Sequence, residues 1–207
     1  MLNLRLSEKV RPKHPDLQQA ILWIYATVAL TLDYYYRFDA RIGLIFYLLL
    51  PMAMLVAFRR PLKLYGVTLG DWRRGLLLTV GGWLLMAPIL WVVARGPAFV
   101  AYYARFWRMR GAWGTIWWAA LDLLSWEFFF RGFLLFSLAE MMGRWAVLFQ
   151  AFFFTFGHFS KPELETLSCI VGGSAFGWVA WKTDSFLYPF LIHWFVTVFT
   201  IWVTTLP

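Results

Sequence analysis

The chain has 207 residues, 61% of them hydrophobic and 14% charged, with a formal net charge of +8. This apolar excess excludes a disordered chain and an ordinary soluble domain, and the alternation expected of a membrane β-barrel is absent. Nor is the basic excess a nucleic-acid footprint: Lys and Arg sit mainly at the ends of apolar runs, where they act as topology markers and headgroup contacts.

The pattern predicts an all-α protein, a polytopic transmembrane bundle of about seven spans plus one interfacial segment, forming a single integral-membrane domain. Residues 1–16 are polar, include His14, and run too long for a cleaved signal peptide. Residues 17–112 hold the first three spans, at 17–36, 43–58 and 75–94. The second ends at the basic stop Arg59-Arg60-Pro61. Residues 96–111 mix Pro97, Arg105, Arg108 and Arg110 with aromatics and read as an interfacial amphipathic segment.

Residues 113–207 hold four more spans, at 113–138, 145–158, 167–181 and 186–206. The 145–158 stretch is short for a crossing, and Gly172, Gly173 and Gly177 in the next span allow close helix contact. Eleven loop Lys and Arg fall on the N-terminal side of this arrangement and seven on the other, a weak bias toward a cytoplasmic N-terminus. Cys169 is the single cysteine, so no intramolecular disulfide and no cysteine-based metal cluster is expected. Oligomeric state is not written in the sequence.

Polar residues inside the apolar spans carry the functional signal, because a titratable group in hydrocarbon is costly unless it is paired or lines a wet cavity. Glu127 and Arg131 stand four apart in SWEFFFRG, share a helix face, and are expected to form an ion pair pointing into the bundle. Such a pair can also serve packing alone. His158 ends FFFTFGH, and His193 lies mid-span in FLIHWFVT with Thr197 one turn on. Two histidines and a carboxylate suffice for general-base activation of water, or for a metal site with an open position. No HExxH spacing supports the metal, and a metal or proton transporter would need a polar path that the other spans lack.

The order of these signals resembles the CPBP family of intramembrane glutamic proteases, which includes the CAAX prenyl endopeptidases and abortive-infection proteins. Trp126-Glu127-Phe128-Phe129-Phe130-Arg131-Gly132 is similar to its E-E-x-x-F-R-G motif. The Phe154 to His158 FxxxH, a Gly-rich helix, and TDSFLYPFLIH leading into HxxxT follow in order, so the resemblance covers about 113–200. It implies an endopeptidase that hydrolyses a peptide bond of a membrane-associated protein or peptide, near its C-terminus, in a prokaryotic inner membrane. It also implies no cofactor and no metal. His158 would be the water-activating partner, His193 the oxyanion donor, and Glu127 and Arg131 the supporting pair.

Two positions depart from the family pattern. Trp126 stands where the first motif Glu is usual, and Thr197 where Asn or Asp is usual; a Thr hydroxyl still donates a hydrogen bond. Without the first carboxylate three readings are open. Glu127 itself is the base, Asp122 one turn before Trp126 supplies the carboxylate, or the chain no longer cleaves and binds a membrane peptide or lipidated chain as chaperone or immunity factor.

Overall fold

The computed structural model describes residues 16–206; the polar N-terminal segment, His14 included, lies outside them except for Asp16. The chain is all-α, and no strand occurs among the described residues.

Helix α1, Leu17–Tyr36, opens on a capping box in which the Asp16 side chain accepts from the Gln19 amide and the Gln19 side chain from the Asp16 amide. It ends at Arg37 in the left-handed conformation. Helix α2, Ala40–Ala57, begins at Asp39, whose carboxylate accepts from the amides of Arg41 and Ile42. The Ile42 amide holds that exposed carboxyl below its usual range. Helix α3, Trp72–Val93, is capped by Asp71, and helix α4 runs Pro97–Glu127. Without a break it enters a π-helical segment, Phe128–Leu134, and then α5, Leu135–Met142. Helices α6 (Ala146–Phe156), α7 (Glu163–Thr183) and α8 (Leu187–Val203) complete the bundle.

The expected interfacial segment is helical and merges into α4 through a kink at Gly111, at φ 65° and ψ −177°. Only a residue without Cβ takes that conformation cheaply, so the glycine sets where the 97–110 arm turns away from the rest of the helix. By length and composition three helical stretches can cross a membrane: Ala40–Ala57, Trp72–Val93 and Pro97–Phe156. Helix α8 is a shorter apolar helix of the same kind. Gln18, Gln19 and the Tyr34–Tyr36 run dilute α1, and the glycines and end charges dilute α7. The protein is an integral membrane protein.

Helix α6 lies against α7, and α8 against α3 and α4. Every residue of the π segment is buried, and its phenylalanines meet Tyr47, Leu55 and Tyr65 to form the main core. In lipid such a core is held by close packing and hydrogen bonds, because burial from hydrocarbon into protein gains little. Helix α3 turns Leu77, Leu84, Leu85 and Val92 outward, an apolar face suited to acyl chains.

Candidate active site

The π segment sets the geometry of the site. A π-helical turn is a local widening that often marks functional positions. Here it starts directly after Glu127 and contains Arg131, so both side chains reach the bundle interior with no exposed surface. Arg131 Nη1 donates to Glu127 Oε1 at 3.0 Å, the ion pair expected from the spacing. The same Oε1 lies 2.6 Å from Nδ1 of His193, which α8 presents from mid-helix. The arginine is held by rings: its guanidinium carbon sits 3.9 Å from the Phe154 centroid and 5.2 Å from that of Phe176.

His158 stands in the turn after α6, 2% exposed. Its Nδ1 is 2.9 Å from the Phe154 carbonyl, which can only accept, so Nδ1 carries the hydrogen and Nε2 keeps its lone pair. The Thr166 hydroxyl donates to the His158 carbonyl at 2.7 Å and anchors that turn to α7. The two imidazoles lie 6.4 Å apart, centroid to centroid, and are close to parallel. Phe154 touches both, at 4.3 Å from His158 and 5.8 Å from His193. Thus Glu127, Arg131, His158 and His193 share one buried cluster, in which the carboxylate is hydrogen-bonded to Arg131 and His193 and lies apart from His158.

Three polar atoms of this cluster have no hydrogen-bond partner among the described residues: Glu127 Oε2 and Arg131 Nε and Nη2. Leaving a charged group's atom buried and unmet costs about 1–3 kcal/mol or more. Such atoms mark where a water or a reacting group has hydrogen bonds to make. No three His, Cys, Asp or Glu gather into a metal-binding group among the described residues.

Trp126, Asp122 and Thr197 face a second space, Thr197 one helical turn after His193 on α8. They line a cavity of about 1170 Å³ bounded by the ends of α1 and α6, the 97–110 arm and the mid-part of α4. Trp126 forms part of its floor, and behind that ring lies His158, at 5.7 Å between centroids. The indole is wedged against Tyr47, Phe130 and Phe154. Asp122 therefore faces the cavity, and Glu127 is screened from it by its own neighbour. Phe154 and Phe176 were not singled out as site residues from sequence; the FxxxH spacing marked Phe154, and no pattern marked Phe176.

Residues 108–199 match the model of a family described as Rce1-like, type II CAAX prenyl endopeptidase Rce1-like. Over that stretch, which is less than half of the chain, the protein is similar to the Rce1-like family. The stretch holds the π segment, both histidines, Thr197, Asp122 and Trp126, so the buried cluster and the cavity floor both lie within the Rce1-like region. No curated protein and no solved structure matches the chain. The match supports a CAAX-type intramembrane protease fold for that stretch.

Proposed function

We propose that the protein is a multi-pass intramembrane endopeptidase of a prokaryotic inner membrane, hydrolysing a peptide bond near the C-terminus of a membrane-associated protein or peptide through a water activated without a metal. The observation that carries this reading is the state of Glu127. Its Oε1 is bonded to Arg131 and His193, and its Oε2, on a residue with no exposed surface, has no partner among the described residues. A carboxylate held on one oxygen and open on the other is arranged to take a proton from water as that water attacks the carbonyl carbon.

In this mechanism Glu127 is the base and His158 Nε2 orients the water. The negative oxygen of the tetrahedral intermediate is received by the Thr197 hydroxyl and, in the doubly protonated ring, by the Nε2–H of His193, whose Nδ1–H is given to Glu127. Collapse breaks the C–N bond, and the proton taken from water passes to the leaving amine. Arg131 keeps the carboxylate oriented.

A second reading, a family member that binds a membrane peptide or lipidated chain without cutting it, is favoured by Trp126, whose ring stands between the cavity and His158. One assay separates the two. The full chain is reconstituted in proteoliposomes with lipidated and C-terminal-signal peptides, and products are read by mass spectrometry. The proposal expects cleavage that falls about 10²–10⁴-fold in Glu127→Gln and again in His193→Ala. Cleavage surviving the double change Glu127→Ala, His158→Ala would overturn this site. A silent parent that gains cleavage on Trp126→Glu would establish the binding-only reading.

A further inference from the structure

Beside the buried cluster stands a feature that hydrolysis does not use. Arg110 is the last residue of the arm before the Gly111 kink, and it lines the cavity. Its guanidinium stacks at 4.5 Å from the Trp118 centroid and 5.5 Å from that of Phe106, and these two rings are themselves parallel at 5.0 Å. The stack fixes the fork, yet Nη1 is buried with no acceptor among the described residues. A pre-oriented guanidinium with an unmet buried N–H is half of a bidentate contact whose other half is a planar oxyanion.

The other charges of the cavity are engaged: Arg37 lies over Tyr34, Arg105 lies over Tyr102 and Phe106, and Asp39 accepts from the amides of Arg41 and Ile42. Lys161 is paired with Glu165 at 3.1 Å, and the Asp33 carboxylate takes the Tyr47 hydroxyl at 2.7 Å and the Phe38 amide at 2.9 Å. Asp122 has no hydrogen bond or ion pair from its carboxylate among the described residues, and it faces the same space as Arg110. Trp118, Asp122 and Trp126 succeed one another at one-turn intervals along α4, so this wall reads, from kink to floor, arginine-bearing ring, carboxylate, indole. The distance from Trp118 to Trp126 is about 12 Å along the axis at 1.5 Å per residue.

We propose that this wall holds the end of a peptide chain: its free α-carboxylate on Arg110, its backbone N–H groups on Asp122, and the preceding residues reaching the floor at Trp126 and Thr197. The inference rests on the cavity being the substrate site, and it names what fixes the register of the substrate there. Asp122, the cavity carboxylate on the same helix as the arginine and without a hydrogen bond or ion pair among the described residues, is what selects a peptide over a phospholipid. A phosphodiester would satisfy Arg110 but would meet Asp122 as a like charge, whereas a peptide brings N–H donors for it.

The test reads binding and needs no cleavage. Full-length protein in nanodiscs of neutral phosphatidylcholine is titrated with an N-acetylated fluorescent apolar hexapeptide ending in a free carboxylate, and with the same peptide as its amide. The expected result is at least tenfold tighter binding of the acid, loss of that preference in Arg110→Gln with amide binding unchanged, and a reduced preference in the charge-conserving Arg110→Lys. Asp122→Asn weakens both peptides alike. Equal binding of acid and amide, a preference that survives Arg110→Gln, or no binding of either peptide overturns the proposal. It is overturned in favour of a lipid if phosphatidylglycerol nanodiscs abolish acid binding in the parent and Arg110→Gln no longer retains that lipid. Each of these results leaves the hydrolytic reading to the cleavage assay, where Glu127→Gln, and not Arg110→Gln, is decisive.

Discussion

At the residue scale the dominant fact is a charge pair with no exposed surface, three of whose polar atoms have no partner among the described residues. Removing one member of such a pair leaves the other charge unpaired and typically costs about 3–5 kcal/mol, while replacing both by apolar groups is often neutral. Arg131→Met is therefore expected to destabilise strongly, and Glu127→Leu with Arg131→Met to recover most of the loss. Equilibrium unfolding in detergent of the two singles and the double checks this, and additivity would contradict it. The pair itself was legible in the sequence, since a spacing of four puts two side chains on one face. That His193 would join through the same oxygen was not, because nothing in a one-dimensional spacing says which of two distant histidines a third helix delivers. His158 is instead turned by its contact with the Phe154 carbonyl, a backbone preference that residue type does not reveal.

Among elements, the contacts at the site depend on close approaches that only small residues permit. Gly157, at the end of α6, leaves no room: a Cβ there would stand 2.8 Å from Cη2 and Cζ3 of Trp126 on α4. Gly157→Ala must push the indole from its niche and is expected to cost about 1–3 kcal/mol. In a Trp126→Leu background most of that cost disappears, and a double-mutant cycle on thermal midpoints measures the difference. Gly173 and Gly177 do the same for α7 against α6, where the Gln150 amide donates to the carbonyls of Val147 and Gly173. The glycine-rich span was readable as a close contact. The widening at Phe128–Leu134 was not, because seven apolar residues fit an α-turn and a π-turn equally well by pattern, and only packing around Tyr47 and Tyr65 distinguishes them. The 96–111 stretch reads as amphipathic and interfacial from its arginines; that it is a helix turning away at Gly111 is a finding of the structure.

For the molecule as a whole, the sequence made the helical membrane class plain, while the number of crossings depended on segments whose polarity is intermediate. Sidedness is open to a direct measurement. Arg37, Ser160 and Lys161 border one cavity, so they lie at the same end of the bundle. Lys182, at the far end of the 21-residue α7, lies at the other. With the buried Cys169 as a quiet background, Arg37→Cys and Ser160→Cys are expected to react with a membrane-impermeant maleimide from one side of the membrane, and Lys182→Cys from the opposite side. Labelling of Ser160→Cys and Lys182→Cys from one side would require a different threading. The end opposite the cavity is also closed by a knot of contacts: Arg60 Nη1 reaches both oxygens of Glu140 at 2.7 Å and the Tyr65 hydroxyl at 3.0 Å, and Nη2 reaches Asp16. One guanidinium thus fastens the start of α1, the exit of α2 and the tail of α5. A bundle tied at one end and hollow at the other offers its cavity toward one face of the membrane, so on the hydrolytic reading proposed above a released fragment is expected to emerge on the face from which the chain was offered.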